Sequence, residues 1–452
     1  MRLRSGRGLR APDVVVYPGT HDEVAAVLAL SAQEWVAVIP FGGGTSVVGG
    51  VEPLRGSFGA AVTLDLARLT GLSALDPHSQ LATFAAGTTG PEVERLLGAR
   101  GLTLGHFPQS FEFSTVGGWA ATRSAGQAST GYGRIDALVV ALRAATPSGD
   151  LATLAAPASA AGPSVRELLL GSEGVLGVIT EVTLRVRPRP AEQRYDAYSL
   201  PRFAAGTEAL RALVQAGAAP DLARLSDEEE TRISLALSAR PVAARALRAY
   251  IRGRGQRPGC LAILGFDGDR GQIAQRRARA RSILRRHGAI ALGPAPGAAW
   301  AKGRFHGAYV RDELLSRGVL VDTLETATSW TALGGLHRDV GMALRDALAR
   351  RGAPTLVMCH VSHVYPTGAS LYFTFLARQQ AGAELEQWQA AKTAASEVIT
   401  GAAATITHHH GVGTDHLPWL ATEVGEVGLA ALRAVKAQVD AAGIMNPGKL
   451  LA

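Results

Sequence analysis

Cysteine is almost missing: Cys260 and Cys359 are the two in 452 residues. Two thiols cannot build a disulfide framework, and their scarcity suits a reducing compartment. Lysine-rich tails are absent as well. The formal net charge of +8 is carried mostly by scattered arginines, which argues against nucleic-acid binding and suits an anionic ligand or a lipid surface. No window reaches the roughly 18 uninterrupted apolar residues of a membrane-crossing helix. The basic start, Met1 to Arg10, is not followed by the apolar run of a signal peptide before Pro12. Internal repeats and long low-complexity linkers are lacking, although Ala152 to Pro163 is a small-residue loop. A soluble cytoplasmic protein is expected. At 47% apolar and 19% charged, the composition is that of a globular chain long enough for two or three domains.

Glycine, by contrast, is abundant, and it clusters. Pro40-Phe41-Gly42-Gly43-Gly44-Thr45-Ser46-Val47-Val48-Gly49-Gly50 is a backbone able to turn tightly and present its N–H groups to an anion such as a phosphate or pyrophosphate. It is not a P-loop, since no Gly-Lys-Ser/Thr closes it. It is not a Rossmann turn, since Val47 stands where the third glycine belongs and no helix follows. Val14 to Tyr17 reads as a strand. Thr20-His21-Asp22-Glu23 reads as a capping box opening a helix to about Gln33, and Trp35 to Ile39 as the strand that delivers the loop. Strands are also expected at Val62–Leu66 and Leu81–Ala85, and a short helix between Pro91 and Gly101.

A second glycine and hydroxyl cluster runs from Gly105 and His106 through Gln109-Ser110-Phe111-Glu112-Phe113-Ser114-Thr115-Val116-Gly117-Gly118-Trp119 to Thr122-Arg123-Ser124-Ala125 and Gly133. A packed helix or strand is not expected to use so much glycine and serine. A third cluster, Gly171-Ser172-Glu173-Gly174-Val175-Leu176-Gly177-Val178-Ile179-Thr180, leads into a strand, Val182 to Val186. Three such loops in about 190 residues suggest one extended ligand with several polar groups, of the shape of FAD.

Arg187-Pro188-Arg189-Pro190 marks a domain boundary. Beyond it, helices (Phe203–Gln215, Asp269–His287, Thr331–Arg351) alternate with strands (Cys260–Phe266, Thr355–Val364, Ser370–Phe375), as in an α+β domain with an antiparallel sheet. A helix over Glu384–Gly401, the run His408-His409-His410-Gly411-Val412-Gly413 and a terminal helix to about Ala442 follow. Three readings of the histidine run stand side by side: a metal site, a structural loop, or an active-site acid/base. In an extended stretch His408 and His410 share a face and His409 does not, which disfavours metal.

Together, Pro40–Ser46, Ser110–Trp119, Gly171–Thr180 and His408–Gly413 resemble the vanillyl-alcohol-oxidase-type FAD family, and within it the branch of alkylglycerone-phosphate synthases. The resemblance spans nearly the whole chain from Pro12. It implies an α+β fold: a two-part FAD-binding domain (1–190), a substrate-binding cap with an antiparallel sheet (191–400), and a C-terminal segment (401–452) returning to the FAD domain. Non-covalent FAD is implied, because Phe41-Gly42-Gly43 carries no attachment histidine or cysteine. Its binding residues would be Pro40 to Ser46, Gln109 to Thr115, Thr122 to Ala125 and Glu173 to Ile179.

The implied reaction exchanges the fatty acid of an acyl-dihydroxyacetone phosphate for a long-chain alcohol, with the flavin N5 as nucleophile and no net redox. The implied roles are Tyr365 as proton shuttle, His408, His409 and His410 as helpers of the leaving carboxylate and entering alcohol, Arg224 as required for activity, His106 beside the flavin, and Arg311 on the substrate phosphate. A packed aromatic (Tyr365), surface or structural ion pairs (Arg311, Arg224) and a satisfied buried histidine (His106) are the plainer alternatives. A homodimer and contact with a membrane surface are also expected.

The chain departs from the family in lacking its long N-terminal extension. It also carries His360 and His363 in Cys359-His360-Val361-Ser362-His363-Val364, which read either as plain polar neighbours or as pointers to another substrate or a metal. The alternatives to the transferase are an FAD-dependent oxidoreductase of a 2-hydroxy acid such as D-lactate or glycolate, and a flavin-binding protein without turnover.

Overall fold

Thr20 caps the helix His21–Gln33, its hydroxyl accepting from the Glu23 N–H at 3.1 Å, while the Glu23 carboxylate reaches back one residue further than expected, to the Gly19 N–H at 2.6 Å. Val24 and Leu28 are fully buried on its inner stripe. The computed structural model describes residues 10–237, 241–305 and 307–451. It divides into two units. Gln127–Tyr132 and Pro190–His408 form the sheet unit; the described residues up to Gly126, Gly133–Arg189 and those from His409 on form the glycine-loop unit.

In the glycine-loop unit, β1 (Val14–Val16), β2 (Val36–Phe41) and β3 (Ala60–Asp65) make a parallel sheet in the order β1-β3-β2. β4 (Leu72–Asp76), β5 (Leu81–Ala85), β7 (Val139–Thr146), β8 (Gly149–Ala152) and β9 (Val178–Arg185) make an antiparallel one, β4-β5-β9-β7-β8, and β6 (Leu102–Thr103) pairs with β10 (Arg187–Pro188). Their shared core includes Ile39, Leu64, Phe84, Leu97, Trp119 and Val182. Residues from the far end of the chain complete it. Ile444 and Met445 are fully buried, Met445 bridges Val38 in parallel, and Val38 N–H donates to the Ile444 carbonyl at 2.8 Å. Lys436 donates to the carbonyls of Val175 and Met445, both at 2.8 Å, and pairs with Asp440.

The sheet unit is built on seven antiparallel strands: β11 (Glu192–Leu200), β12 (Leu222–Ser226), β13 (Cys260–Gly268), β14 (Ile290–Gly293), β15 (Val319–Ser329), β16 (Thr355–Val364) and β17 (Gly368–Arg378), in the order β14-β11-β13-β12-β16-β17-β15. Helices Trp330–Ala349 and Glu384–Gly401 pack on one another, and the first also lies on β16 and β17, burying Leu336, Val340 and Leu344. The antiparallel sheet expected from sequence is present. The strands at 192–200, 222–226, 290–293 and 319–329 are additional to those expected. The short helix Ser129–Tyr132 belongs to this unit, where the Tyr132 hydroxyl donates to Asp267 at 2.6 Å.

Candidate active site

The glycine clusters of the glycine-loop unit are fastened to one another, which explains most of their glycines. A Cβ on Gly42 would overlap Thr115, and one on Gly43 would overlap the Phe113 carbonyl. The first loop therefore lies backbone-close against the second. Gly413, at φ +52°, presses on the Val48 carbonyl, Gly49 on Thr414, and Gly174, at φ +77°, on the Pro40 ring. Glycine was expected here for close approach of a ligand; the structure adds a close approach of chain to chain. The ligand-facing property is left to the N–H groups. Among the described residues, nothing accepts a hydrogen bond from the backbone N–H of Gly43, Gly44, Thr45 or Ser46. Such a row of free donors is an anion cradle.

The second cluster corrects the expectation that its glycine and serine exclude a packed helix. Val116–Ala121 is a helix, capped by Thr115 and set against Ala86 so closely that Gly117 has no room for a side chain. Trp119 is buried, its Nε1 donating to Ser114 Oγ at 2.7 Å. Around it, the Gln109–Thr115 stretch forms a tight turn, with Ser114 N–H donating to the Ser110 carbonyl at 2.9 Å and the Phe107 and Phe111 rings 5.2 Å apart. Phe113 is exposed. Arg123 is a brace: its guanidinium donates to the Leu170 carbonyl at 3.1 Å and to Glu167 at 3.0 Å, and it lies 3.4 Å from Asp136. The Thr122 hydroxyl donates to the Gly118 carbonyl at 2.9 Å, Ser124 Oγ lies 3.3 Å from His106 Nε2, and Ala125 is buried. His106 is 1% exposed, and burial pushes its imidazole down to about 3, so it is neutral near neutrality.

In the third cluster, Glu173 stands at φ +49° and its buried carboxylate accepts from the N–H groups of Val412 at 2.6 Å and Gly413 at 2.7 Å. Burial pushes this carboxyl up to about 7 against the pull of those two donors. Its carbonyl accepts from Asn446 Nδ2 at 2.6 Å, and the same amide donates to the Gly50 carbonyl at 3.1 Å. Val175 and Leu176 are core, and Val178 and Ile179 open β9. Sequence reasoning had not singled out Asn446, although Asn446-Pro447-Gly448 carries the turn chemistry that could have flagged it. Among the buried polar atoms of this unit without a partner among the described residues are His106 Nδ1, Ser172 Oγ and Asn446 Oδ1. Buried polar atoms are rarely left unpaired. These three, with the free N–H groups of the first loop, fit a flavin dinucleotide, whose pyrophosphate and ring offer the complementary groups.

The sheet unit holds a second constellation. Tyr365 sits in the β16–β17 turn, its N–H donating to the Gly368 carbonyl at 2.8 Å and its carbonyl accepting from Trp330 Nε1 at 3.1 Å. Its hydroxyl is 2.6 Å from His408 Nε2. His408 is buried, its ring 4.9 Å from that of His363. Behind it stands Glu325 of β15, 1% exposed, which accepts from the Thr407 hydroxyl at 2.8 Å and the His408 N–H at 2.6 Å. Glu325 had escaped notice; it stands between Leu324 and Thr326 in a strand that mixes acids and threonines with apolar residues, which carries no clear signal. The histidine run is divided, since His408 ends the sheet unit and His409 opens the last stretch of the other, where its ring meets that of His410 edge-on at 4.7 Å.

Arg224 of β12 is half-buried against Glu230 at 2.6 Å, and its guanidinium lies 3.0 and 3.1 Å from the ring nitrogens of His360, which stacks on Tyr372. Burial opposes ionisation of Glu230, yet His360 and Arg224 hold its carboxyl well below the usual range. Arg311, in the helix Gly307–Ser316, is 44% exposed and lies 3.5 Å from Asp322 rather than against its sequence neighbours Asp312 or Glu313. Its loose pairing leaves the guanidinium able to take another anion.

The chain as a whole is similar to known proteins. Residues 12–155 match the FAD binding domain model, and residues 189–450 match the model of the C-terminal domain of FAD linked oxidases. The chain is 34% identical over its whole length to alkyldihydroxyacetonephosphate synthase of Dictyostelium discoideum, covering 75% of that protein. A solved alkyldihydroxyacetonephosphate synthase structure superposes with a TM-score of 0.83 at 32% identity, over 99% of this chain and 78% of that one. Similarity to the cytochrome-type D-lactate dehydrogenase of Arabidopsis thaliana mitochondria is lower, 26% over 98% of this chain and 74% of that protein.

Proposed function

Because the chain belongs to the FAD linked oxidase family and, within it, to the alkyldihydroxyacetonephosphate synthases, we propose that it makes the ether-lipid precursor by exchanging the acyl chain of an acyl-dihydroxyacetone phosphate for a long-chain alcohol. It is an FAD-dependent enzyme with the α+β fold of the vanillyl-alcohol-oxidase type. The FAD-dependent dehydrogenase of a 2-hydroxy acid is less favoured, because relatives with that activity in their names are more distant.

When bound, FAD supplies a nucleophilic ring nitrogen for the exchange. The chain's own groups do the rest. Residues 1–190 hold the cofactor, the N–H row of Gly43 to Ser46 taking its pyrophosphate; residues 191–400 bind substrate, and 401–452 bring His409 and His410. Tyr365 moves the proton at the carbon that exchanges its substituent, passing it through its hydroxyl to His408 Nε2. The 2.6 Å contact between those two atoms is the observation that carries this assignment. His408, His409 and His410 serve the leaving carboxylate and entering alcohol, neutral His106 lies beside the flavin, and Arg224, held by Glu230, is required for activity.

Arg311 takes the substrate phosphate. Arg311→Ala then raises KM for the phosphorylated substrate about tenfold or more, the loss of a charge-assisted contact, and an unaltered KM removes it from the site.

Labelled hexadecanol incorporated into acyl-dihydroxyacetone phosphate without an electron acceptor is the expected result of assay. Anaerobic bleaching of the flavin by D-lactate or glycolate, without such incorporation, favours the dehydrogenase. No helix among the described residues is long and apolar enough to cross a membrane. The lipid substrate supports peripheral contact with a membrane surface, and the free, buried Cys260 and Cys359 support a cytoplasmic location. Vesicle co-sedimentation, and light scattering for the expected homodimer, check these points.

A further inference from the structure

We propose that His360 is the positioning residue of Arg224, its imidazole set against the guanidinium and the Glu230 carboxylate so that the guanidinium is held in one orientation. The inference rests on the reading of Arg224 as required for the exchange and deepens it. It gives His360 a use other than the metal or the second substrate that its place in the sequence offers. Arg224 stands on β12, which pairs with β16 at Ser226 and His360. One terminal guanidinium nitrogen lies 3.0 Å from His360 Nε2; the other lies 3.1 Å from Nδ1 and donates to Glu230 Oε1 at 2.6 Å. Nδ1 is itself 3.2 Å from that same carboxylate oxygen. Asp227 locks the arrangement. Its carboxylate accepts from the Glu230 N–H at 2.7 Å, capping the helix Glu228–Ala236, and from the N–H of Cys359, next to His360, at 2.9 Å. Its own N–H donates to the Cys359 carbonyl at 2.8 Å. The His360 ring also stacks on Tyr372, with centroids 5.0 Å apart.

A guanidinium only donates, so a ring that receives it must offer a lone pair. A protonated imidazole has none, and it would set a second positive charge 3.0 Å from the first. Of the two neutral forms, one carries its proton on Nδ1, facing the Glu230 carboxylate, and leaves the Nε2 lone pair for Arg224. The other would turn an Nε2–H on the guanidinium and the Nδ1 lone pair on the carboxylate. The first form therefore suits both neighbours better. The charges around the ring agree. Burial, and then Arg224, push His360 below its ordinary value against the opposing pull of Glu230 and Asp227, so it is neutral near neutrality. Burial pushes the Tyr372 hydroxyl and the Cys359 thiol up, so neither adds a charge. The same guanidinium repels a metal ion. Holding one long side chain in a single orientation is work done before substrate arrives, and it favours the exchange itself.

His360→Phe keeps a ring against Tyr372 and removes both nitrogens. In the FAD-loaded enzyme its kcat for alcohol incorporation is expected to fall about tenfold or more, the cost of a misplaced group, with KM for the phosphorylated substrate unchanged. His360→Gln offers an acceptor to Arg224 and a donor to Glu230, and is expected to stay within about threefold of native. In an Arg224→Lys background, His360→Phe is expected to cost no more than about twofold further, because residues acting through one another are not additive. Nitrogen-15 spectra of labelled histidine in the unmodified enzyme near neutral pH are expected to show His360 uncharged, with its proton on Nδ1. Native kcat in His360→Phe, a Gln variant as slow as the Phe variant, or the same loss in both backgrounds overturns the proposal. So does a protonated His360, or one with its proton on Nε2, and this result needs no variant that folds. If the enzyme incorporates no alcohol at all, the proposed function fails, while the protonation of His360 still reports on its contact with Arg224.

Discussion

At Tyr365, a hydroxyl 2.6 Å from a buried imidazole separates proton transfer from packing. Tyr365→Phe keeps the ring and removes the transferable proton, so turnover is expected to fall about 100-fold or more, with flavin absorbance of the purified protein unchanged. Turnover within twofold of native would place Tyr365 among ordinary turn aromatics. His106 makes a stability prediction. Burial holds its imidazole down to about 3, below its ordinary value, so the unfolded chain takes up the proton first as pH falls. The stability it permits is complete above about pH 6.5 and is lost on descending toward pH 3, at about 1.4 kcal/mol per pH unit. His106→Gln flattens that part of the curve, measurable as urea midpoints against pH; parallel curves for the two proteins would show that His106 titrates normally.

The elements were legible in the sequence to very different degrees. A capped helix such as His21–Gln33, a helix with an apolar stripe such as Phe203–Gln215, and hairpin strands with clear apolar runs, such as Thr355–Val364, were readable because their signals are local. β15 was not, because Val319–Ser329 mixes acids and threonines among its apolar residues, and what makes it a strand is its pairing with β17. Glu325 was missed with it. Arg123 was placed at the flavin by motif alone; the partners of its guanidinium, Glu167, Asp136 and Leu170, are visible only in three dimensions. The glycines of the first loop were noticed for their backbone freedom, and their packing against a second stretch of chain was not foreseen. Gly43 has Phe113 against it, so Gly43→Val forces the first two loops apart, and the purified variant is expected to carry no flavin. Full flavin occupancy would show that the loop's spacing is immaterial to the cofactor.

At the scale of the molecule, the two units are continuous with one another through the chain yet chemically unlike: one rich in unpaired donors and tight turns, the other a sheet bearing ionisable side chains. A ligand that binds only the folded glycine-loop unit stabilises it by mass action. FAD at a free concentration a hundredfold above its Kd is expected to contribute about 2.7 kcal/mol, seen as a rise in the midpoint of its unfolding with added FAD. A midpoint indifferent to FAD, in protein stripped of flavin, would contradict the cofactor assignment.

The strap of residues 444–446 across Val38, Gly50 and Glu173 bears on how the protein is born. A ribosome releases the first glycine loop some 400 residues before Met445 and Asn446 emerge. The earliest-made stretch must therefore wait, incompletely cored, while the sheet unit settles, although folding during synthesis ordinarily runs from the N-terminus. Flavin capture then waits for Met445 and Asn446 to emerge, and nascent chains stalled short of them are expected to be colourless clients of chaperones.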